Sequence, residues 1–359
     1  MNISSFFRPV VRENFSTYVP SLSLEQIVNI TKQPKRSILK LDSGENRWTP
    51  KIPIDWKTIE KNVALYPDSD SLSLRQALSL DLGVSPDCIV IGNGSDELID
   101  LTCRLFLEKG KILIDFSPTF PMYAFFGRLC GATVITVPRE KNYQLNVKAV
   151  KQALKKSQLA FIANPNNPTG TVIPRPILVE LLSVGIPIVI DEAYFEFYGE
   201  TVIDLVSEFE NLIVLRTFSK WAGVAGLRVG YMVTNPTIAD RIRAIKPPYG
   251  VNSFAQAVAC ILIQNKNLFL PSLRAIQASR EWCIAEINSL PGLNAVASQA
   301  SCVSVLSEQI SASMIVERLL QKGIVVKLLP QNLLPNAFRM SIAPKKEMKI
   351  VIQALLEII

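Results

Sequence analysis

The stretch GIPIVIDEAYFEFYGETVIDLVSEFENLIVLRTFSKWAGVAGLRVGYMV, Gly185 to Val233, decides how the chain is read. It holds three apolar runs, Pro187–Asp191, Leu212–Thr217 and Val229–Val233. They are continuous rather than alternating, which is the pattern of strands buried on both faces of a parallel sheet. A helix-length segment separates the first two. Working toward the N-terminus, further runs stand at Cys88–Ile91, Ile112–Asp115, Thr133–Val137 and Leu159–Ala163, and Ser71 to Leu82 has helical spacing behind a serine start. Strands alternating with helices predict an α/β fold, a mainly parallel seven-stranded sheet with helices on both faces.

Past Asn252 the pattern changes. Two helices are expected, the second long. A smaller α+β segment follows, with strands near 302–306, 323–329 and 338–343 and helices near 311–322 and 346–359. Three parts are therefore expected: an N-terminal arm over 1–45 packing with the small domain, a large domain over 46–282 and a small C-terminal domain over 283–359. The length of 359 residues agrees, at ~150 residues per domain.

Composition removes whole mechanisms. There is no histidine. Ser-His-Asp triads, Cys-His pairs, HExxH zinc sites and imidazole bases are all excluded. The six cysteines form no CxxC pair and most sit in apolar runs, as buried thiols of a reducing compartment do. The net charge of +7 is modest and the basic clusters are interrupted, so solvated faces are expected rather than a nucleic-acid groove. No run approaches the ~18 apolar residues of a membrane span, and the N-terminus lacks a secretory apolar core. The expectation is a cytoplasmic protein without nucleic-acid or membrane partners.

Ligands of open α/β sheets bind beyond the C-terminal ends of strands. Four segments stand there. GNGSDELIDL, Gly92 to Leu101, gives a glycine turn and a helix opening at Ser95 and Asp96, where free N–H groups bind phosphate. A third glycine of the dinucleotide fingerprint is replaced by Glu97. NPNNPTG, Asn164 to Gly170, fixes a turn that would hold Asn166 and Asn167 as amide donors. Asp191 ends an apolar strand, where a carboxylate needs a partner, and Tyr194 follows three residues on. Ser219, Lys220 and Arg228 follow the next strand. Each segment alone also reads as something ordinary: a capped helix, a plain turn, a paired aspartate, a surface lysine. Together they bring an amine, a carboxylate, a phenol, an amide and a phosphate cradle to one cleft. Those are the groups that pyridoxal 5′-phosphate requires: the amine forms a Schiff base with the aldehyde, and the carboxylate keeps the pyridine nitrogen protonated.

With these motifs the chain resembles the class I/II pyridoxal-phosphate aminotransferases of fold type I, and within them the histidinol-phosphate aminotransferase branch. The ordered set runs YVP from Tyr18, GEN from Gly44, YPD from Tyr66, GNGSDELI, PTFPMY up to Tyr123, NPNNPTG, DEAYFEF, RTFSKWAGVAGLRVGY, PYGVNSFAQA and FRMSIA. The resemblance implies roles. Lys220 would bind the cofactor aldehyde and move the proton, Asp191 would pair with the ring nitrogen, and Tyr194 and Asn167 would hydrogen-bond the ring oxygen. Tyr123 would stack on the ring. Ser95, Asp96, Ser219 and Arg228 would hold the phosphate, joined by Tyr66 from the neighbouring subunit of a homodimer. Arg339 would bind the acidic end of the substrate, and Tyr18 would help close the site. The implied reaction passes an amino group from an amino donor, L-histidinol phosphate in histidine biosynthesis, to a 2-oxo acid. The alternatives are a threonine-phosphate decarboxylase-like enzyme of the same fold or an aminotransferase for aromatic or other amino acids. Four residues depart from the branch: Lys327 stands where an arginine for the substrate phosphate is expected, Lys345 where another arginine is frequent, Ser21 for a glycine and Arg47 for a proline.

Overall fold

The computed structural model describes residues 3–12, 20–48, 52–54, 57 and 64–359. Its strands are β1 (Leu39–Lys40), β2 (Ile89–Asn93), β3 (Ile112–Asp115), β4 (Thr133–Thr136), β5 (Leu159–Ala163), β6 (Ile188–Asp191), β7 (Leu212–Thr217), β8 (Val229–Thr234), β9 (Leu293–Ala295), β10 (Cys302–Ser307), β11 (Ile324–Val325), β12 (Lys327–Leu328) and β13 (Ala337–Ser341). The main helices are α1 (Leu24–Thr31), α2 (Leu72–Leu82), α3 (Gly94–Phe106), α4 (Met122–Leu129), α5 (Val147–Leu154), α6 (Arg175–Leu182), α7 (Pro236–Ile245), α8 (Ser253–Gln264), α9 (Leu270–Asn288), α10 (Ala312–Gln321) and α11 (Lys345–Ile358).

The seven-stranded sheet has the order β2-β8-β7-β6-β5-β3-β4. It is parallel except for β8, which runs antiparallel to both neighbours. Its strands are apolar throughout because both faces are covered. Ile188, Ile190, Leu212 and Val214 face a core completed by α2, α5, α6 and α8. Val189, Ile213, Leu215 and Met232 face a second core completed by α3, α4 and α7. The chain steps outward from β3 to β4 and returns to the other side of β3 at β5. That reversal makes the crevice at the strand ends.

A second sheet, β12-β13-β10-β9, is antiparallel. Its core residues Cys302, Val303, Phe338 and Met340 belong to the same apolar cluster as the first face of the large sheet, so the two sheets share one interior. The N-terminal segment packs on it through β1, which pairs with β11, and through α1, whose Ile27 is buried against Val325. Residues 8–12 lie elsewhere: the helical turn Pro9–Arg12 contacts α4, and Arg8 donates to the Leu129 carbonyl at 3.0 Å.

Two local expectations are corrected. Ser71 precedes α2 but makes no cap bond; its backbone is left-handed (φ 51°), and the Asp68 carboxylate accepts the Leu72 N–H at 2.6 Å instead. The single strand expected near 323–329 breaks at Val326, because β11 pairs with β1 and β12 with β13. The break sends Lys327 to the second sheet, directly opposite Arg339.

Gly230 on β8 lets the strand touch the start of α3. A Cβ there would stand 2.4 Å from the Ser95 nitrogen and 2.6 Å from the Gly94 carbonyl carbon. Backbone on both sides leaves nothing soft to yield. Gly230→Ala is expected to cost about 2–3 kcal/mol in urea unfolding; a loss within a few tenths of a kcal/mol would refute this close approach.

Candidate active site

A cavity of about 1130 Å³ opens where β5, β6 and β7 end, and is lined from both sheets. Each strand delivers its polar residue at the point where the ladder stops. Ala163 is in register with Asp191, and Asp191 with Leu215, so the turn after β5, the end of β6 and the helical turn after β7 stand side by side.

Lys220 lies in that helical turn, Phe218–Trp221, which Thr217 caps by accepting the Ser219 N–H at 3.1 Å. Its Nζ donates to the Ser43 carbonyl at 2.9 Å. Burial pulls this amine down to about 8, and the Arg339 guanidinium pushes the same way. An amine so placed is neutral far more often than a surface lysine, and a neutral amine is both a nucleophile and a base.

Asp191 is 6% exposed. Its carboxylate takes the Tyr123 hydroxyl at 2.6 Å and the Ala193 N–H at 3.0 Å. Burial raises it to about 6, while these two donors favour the charged form. Within the protein its partners are neutral donors. Tyr123 is itself buried, with its ring stacked on Phe161 at 4.7 Å. Tyr194 lines the cavity beside Lys220, whose Nζ stands 5.9 Å from its ring centre. Burial pushes its phenol up.

The phosphate-type cradle is built from α3. This helix opens at Gly94 without a side-chain cap, so its first N–H groups point outward near Ser95 and Asp96. Ser219 and Arg228 complete the rim. Gly94 suits this position: it has φ +77°, and a Cβ would come within 2.5 Å of an Arg228 terminal nitrogen, which would have to move aside.

On the opposite wall Arg339 donates to the Asn167 side-chain amide oxygen and to the Asp42 backbone carbonyl, the latter at 2.8 Å. Lys327 lines the cavity next to it. Asn166 does not face the cavity. It is fully buried, taking Thr119 and Arg139 on its oxygen and donating to Pro118 and Thr169, so it shapes the turn. Tyr66 is 83% exposed and stacks on Tyr249 at 4.7 Å, away from this cavity. Tyr18 lies outside the described residues. Lys345 stands 4.8 Å from the Trp282 ring centre, and Arg47 pairs with Glu347 at 2.6 Å; neither lines the cavity. Ser21 does line it and accepts the Ser43 hydroxyl at 2.8 Å.

Sequence reasoning noted GEN as a motif but gave the strap 42–46 no place at the site. Gly44 has φ +68°, and a Cβ on it would meet Lys220 Nζ at 2.9 Å and the Tyr194 hydroxyl at 3.3 Å. The signal available was the glycine of GEN; its contact with a lysine 176 positions away was not visible in any local pattern.

The family model for aminotransferase class I and II matches residues 36–355. The chain belongs to the class I and II aminotransferases. It is 36% identical to a histidinol-phosphate aminotransferase of Roseiflexus castenholzii, over 99% of each chain. Among solved structures, this aminotransferase superposes with a TM-score of 0.88 on the histidinol-phosphate aminotransferase from Sinorhizobium meliloti in complex with pyridoxal-5′-phosphate, at 26% identity over 99% of this chain and 97% of that one. The L-threonine-O-3-phosphate decarboxylase from Porphyromonas gingivalis shares the fold (TM-score 0.76, 22% identity, 89% of this chain and 98% of that one).

The Lys220 amine gives a pH test on cofactor-free protein. An ordinary lysine is half protonated near 10.5; this one is at about 8. The folded chain therefore releases the proton earlier than the unfolded one, and stability should rise between about pH 8 and pH 10.5. Acylation of Lys220, followed by peptide mass spectrometry, should reach half its limiting rate near pH 8. A midpoint near 10 would contradict the burial.

Proposed function

We propose that this aminotransferase uses pyridoxal 5′-phosphate to pass the amino group of L-histidinol phosphate to a 2-oxo acid such as 2-oxoglutarate, as a step of histidine biosynthesis. The observation that carries the proposal is the cavity itself: an amine of lowered pKa, a buried carboxylate and a helix-start cradle on one wall face two neighbouring cations on the other. Similarity over the full length to enzymes named for that substrate supports it.

The residues fit the cofactor. Lys220 would hold its aldehyde, Asp191 its ring nitrogen, and Asn167 and Tyr194 its ring oxygen, with Tyr123 against the ring. Ser95, Asp96, Ser219 and Arg228 would hold its phosphate. When bound, the cofactor supplies the electron sink that makes removal of the substrate α-proton feasible near neutral pH. Lys220 Nζ would accept that proton in its neutral form and give it back on the other side of the transfer. Asp191 would stay anionic through the donors from Tyr123 and Ala193. The strap at Ser43 and Gly44 would cover the amine and keep bulk water from it.

Arg339 and Lys327 would take the acidic end of the substrate. They are cross-strand partners on β13 and β12. Two adjacent cations suit a phosphate dianion better than a single carboxylate. Tyr66, exposed and stacked on Tyr249, would be presented to the partner's cavity in a homodimer. The same reading divides the chain into an arm over 1–45, a large domain over 46–282 and a small domain over 283–359. We place the reaction in the cytoplasm, where the six free thiols would stay reduced. Among the described residues no helix is long and apolar enough to cross a membrane.

The purified protein loaded with pyridoxal 5′-phosphate should lose its visible absorption band on adding L-histidinol phosphate and regain it with 2-oxoglutarate. Lys220→Ala should abolish turnover while leaving the circular dichroism unchanged. If no amino compound changes the band, the proposal fails. Lys327→Gln should raise the KM for histidinol phosphate about ten-fold with little change in kcat, the loss of one charge-assisted contact. An unchanged KM would remove Lys327 from the substrate site.

A further inference from the structure

Arg228 is an unusual place to hang a phosphate-binding cation. Its backbone is left-handed (φ +54°), a conformation that non-glycine residues adopt at a cost. Its side chain is 44% exposed, and an exposed arginine has many rotamers to lose on binding. Yet the guanidinium is fixed from two directions. One terminal nitrogen donates to the Ala225 carbonyl at 3.3 Å, and the other donates to the Asp96 carboxylate at 3.0 Å. Gly94 supplies the clearance that lets it lie against the first turn of α3. A guanidinium carries five N–H donors, so these two bonds leave others for an anion in the cradle.

Asp96 looks misplaced by charge alone, since a carboxylate beside a phosphate site repels the ligand. It is nevertheless 3.0 Å from the Arg228 guanidinium, and both groups line the cavity. We propose that the Asp96 side chain is a positioning residue for the cofactor phosphate: it holds the Arg228 guanidinium toward the helix-start N–H groups before the phosphate arrives. Holding the fork in advance spares its ordering on binding, and that gain outweighs the repulsion. The inference rests on the pyridoxal-phosphate reading of the cavity. It assigns to the Asp96 carboxylate a role separate from the backbone N–H of the same residue.

The test measures equilibrium binding to cofactor-free protein by absorbance, with pyridoxal 5′-phosphate and with pyridoxal, which lacks the phosphate. Asp96→Ala should weaken pyridoxal 5′-phosphate about ten-fold and leave pyridoxal within two-fold, roughly the effect of losing one oriented ionic contact. Asp96→Asn keeps an acceptor oxygen and should restore most of the affinity. In an Arg228→Gln background, Asp96→Ala should have no further effect, because the group it orients is gone. Equal or tighter pyridoxal 5′-phosphate binding by Asp96→Ala, an equal loss for both aldehydes, or a full loss in the Arg228→Gln background would each overturn the proposal. If the wild-type protein binds neither aldehyde, the cofactor reading itself is what fails.

Discussion

An amine and a carboxylate share one cavity here without neutralising each other, and the rest of the site depends on that separation. Lys220 donates a hydrogen bond to a backbone carbonyl, that of Ser43, and Asp191 takes its hydrogen bonds from a phenol and an amide. Had the two formed an ion pair, the attraction would have fixed the lysine as a cation and a base would have been lost. Neutral partners leave each group poised: the amine is drawn down to about 8 and the carboxyl up to about 6. Both shifts come first from burial, so the cavity walls set the chemistry as much as the reacting groups do.

The large sheet makes this separation possible. Strands buried on both faces leave polar residues only one place to stand, at their ends. Asp191 closes β6 and Thr217 closes β7, so the carboxylate and the turn bearing the amine belong to adjacent strands but to different loops. Behind them, out of the cavity, Arg216 and Glu192 form a buried pair at 2.8 Å that ties the same two strands together. Asp191 and Lys220 face the cleft, while Arg216 and Glu192 face each other.

This logic explains what could be read from the chain alone. All seven large-sheet strands were legible within a residue or two, since a continuous apolar run ending in a polar residue is a local signal. The residues standing just past those runs were legible for the same reason. What was not legible depended on direction or on distant partners. Asn166 and Asn167 are equivalent in sequence, yet one turns into the core and the other toward Arg339. Ser71 has the composition of a helix cap, but Asp68 reaches the N–H first. The run Gly323–Leu329 looks like one strand because apolar periodicity does not record which sheet each half joins. Gly44 carries no chemistry of its own, and its importance lies in what a side chain there would strike.

The strap that holds Gly44 also couples the two walls of the cavity. Asp42 accepts Arg339, Ser43 accepts Lys220, the Gly44 N–H goes to Ser341 at 2.8 Å, and Asn46 donates to the Trp221 carbonyl at 2.9 Å. Within five residues the strap therefore touches Arg339, the Lys220 amine, the small sheet and, through the Asn46 side-chain amide, the turn that carries the lysine. The carbonyl that holds Arg339 is next in the chain to the one that holds Lys220. Arg339 in turn helps to lower the lysine pKa, so position and protonation are linked through one short segment. The arginine on the small sheet is thus electrostatically joined to the buried amine at the end of the large one.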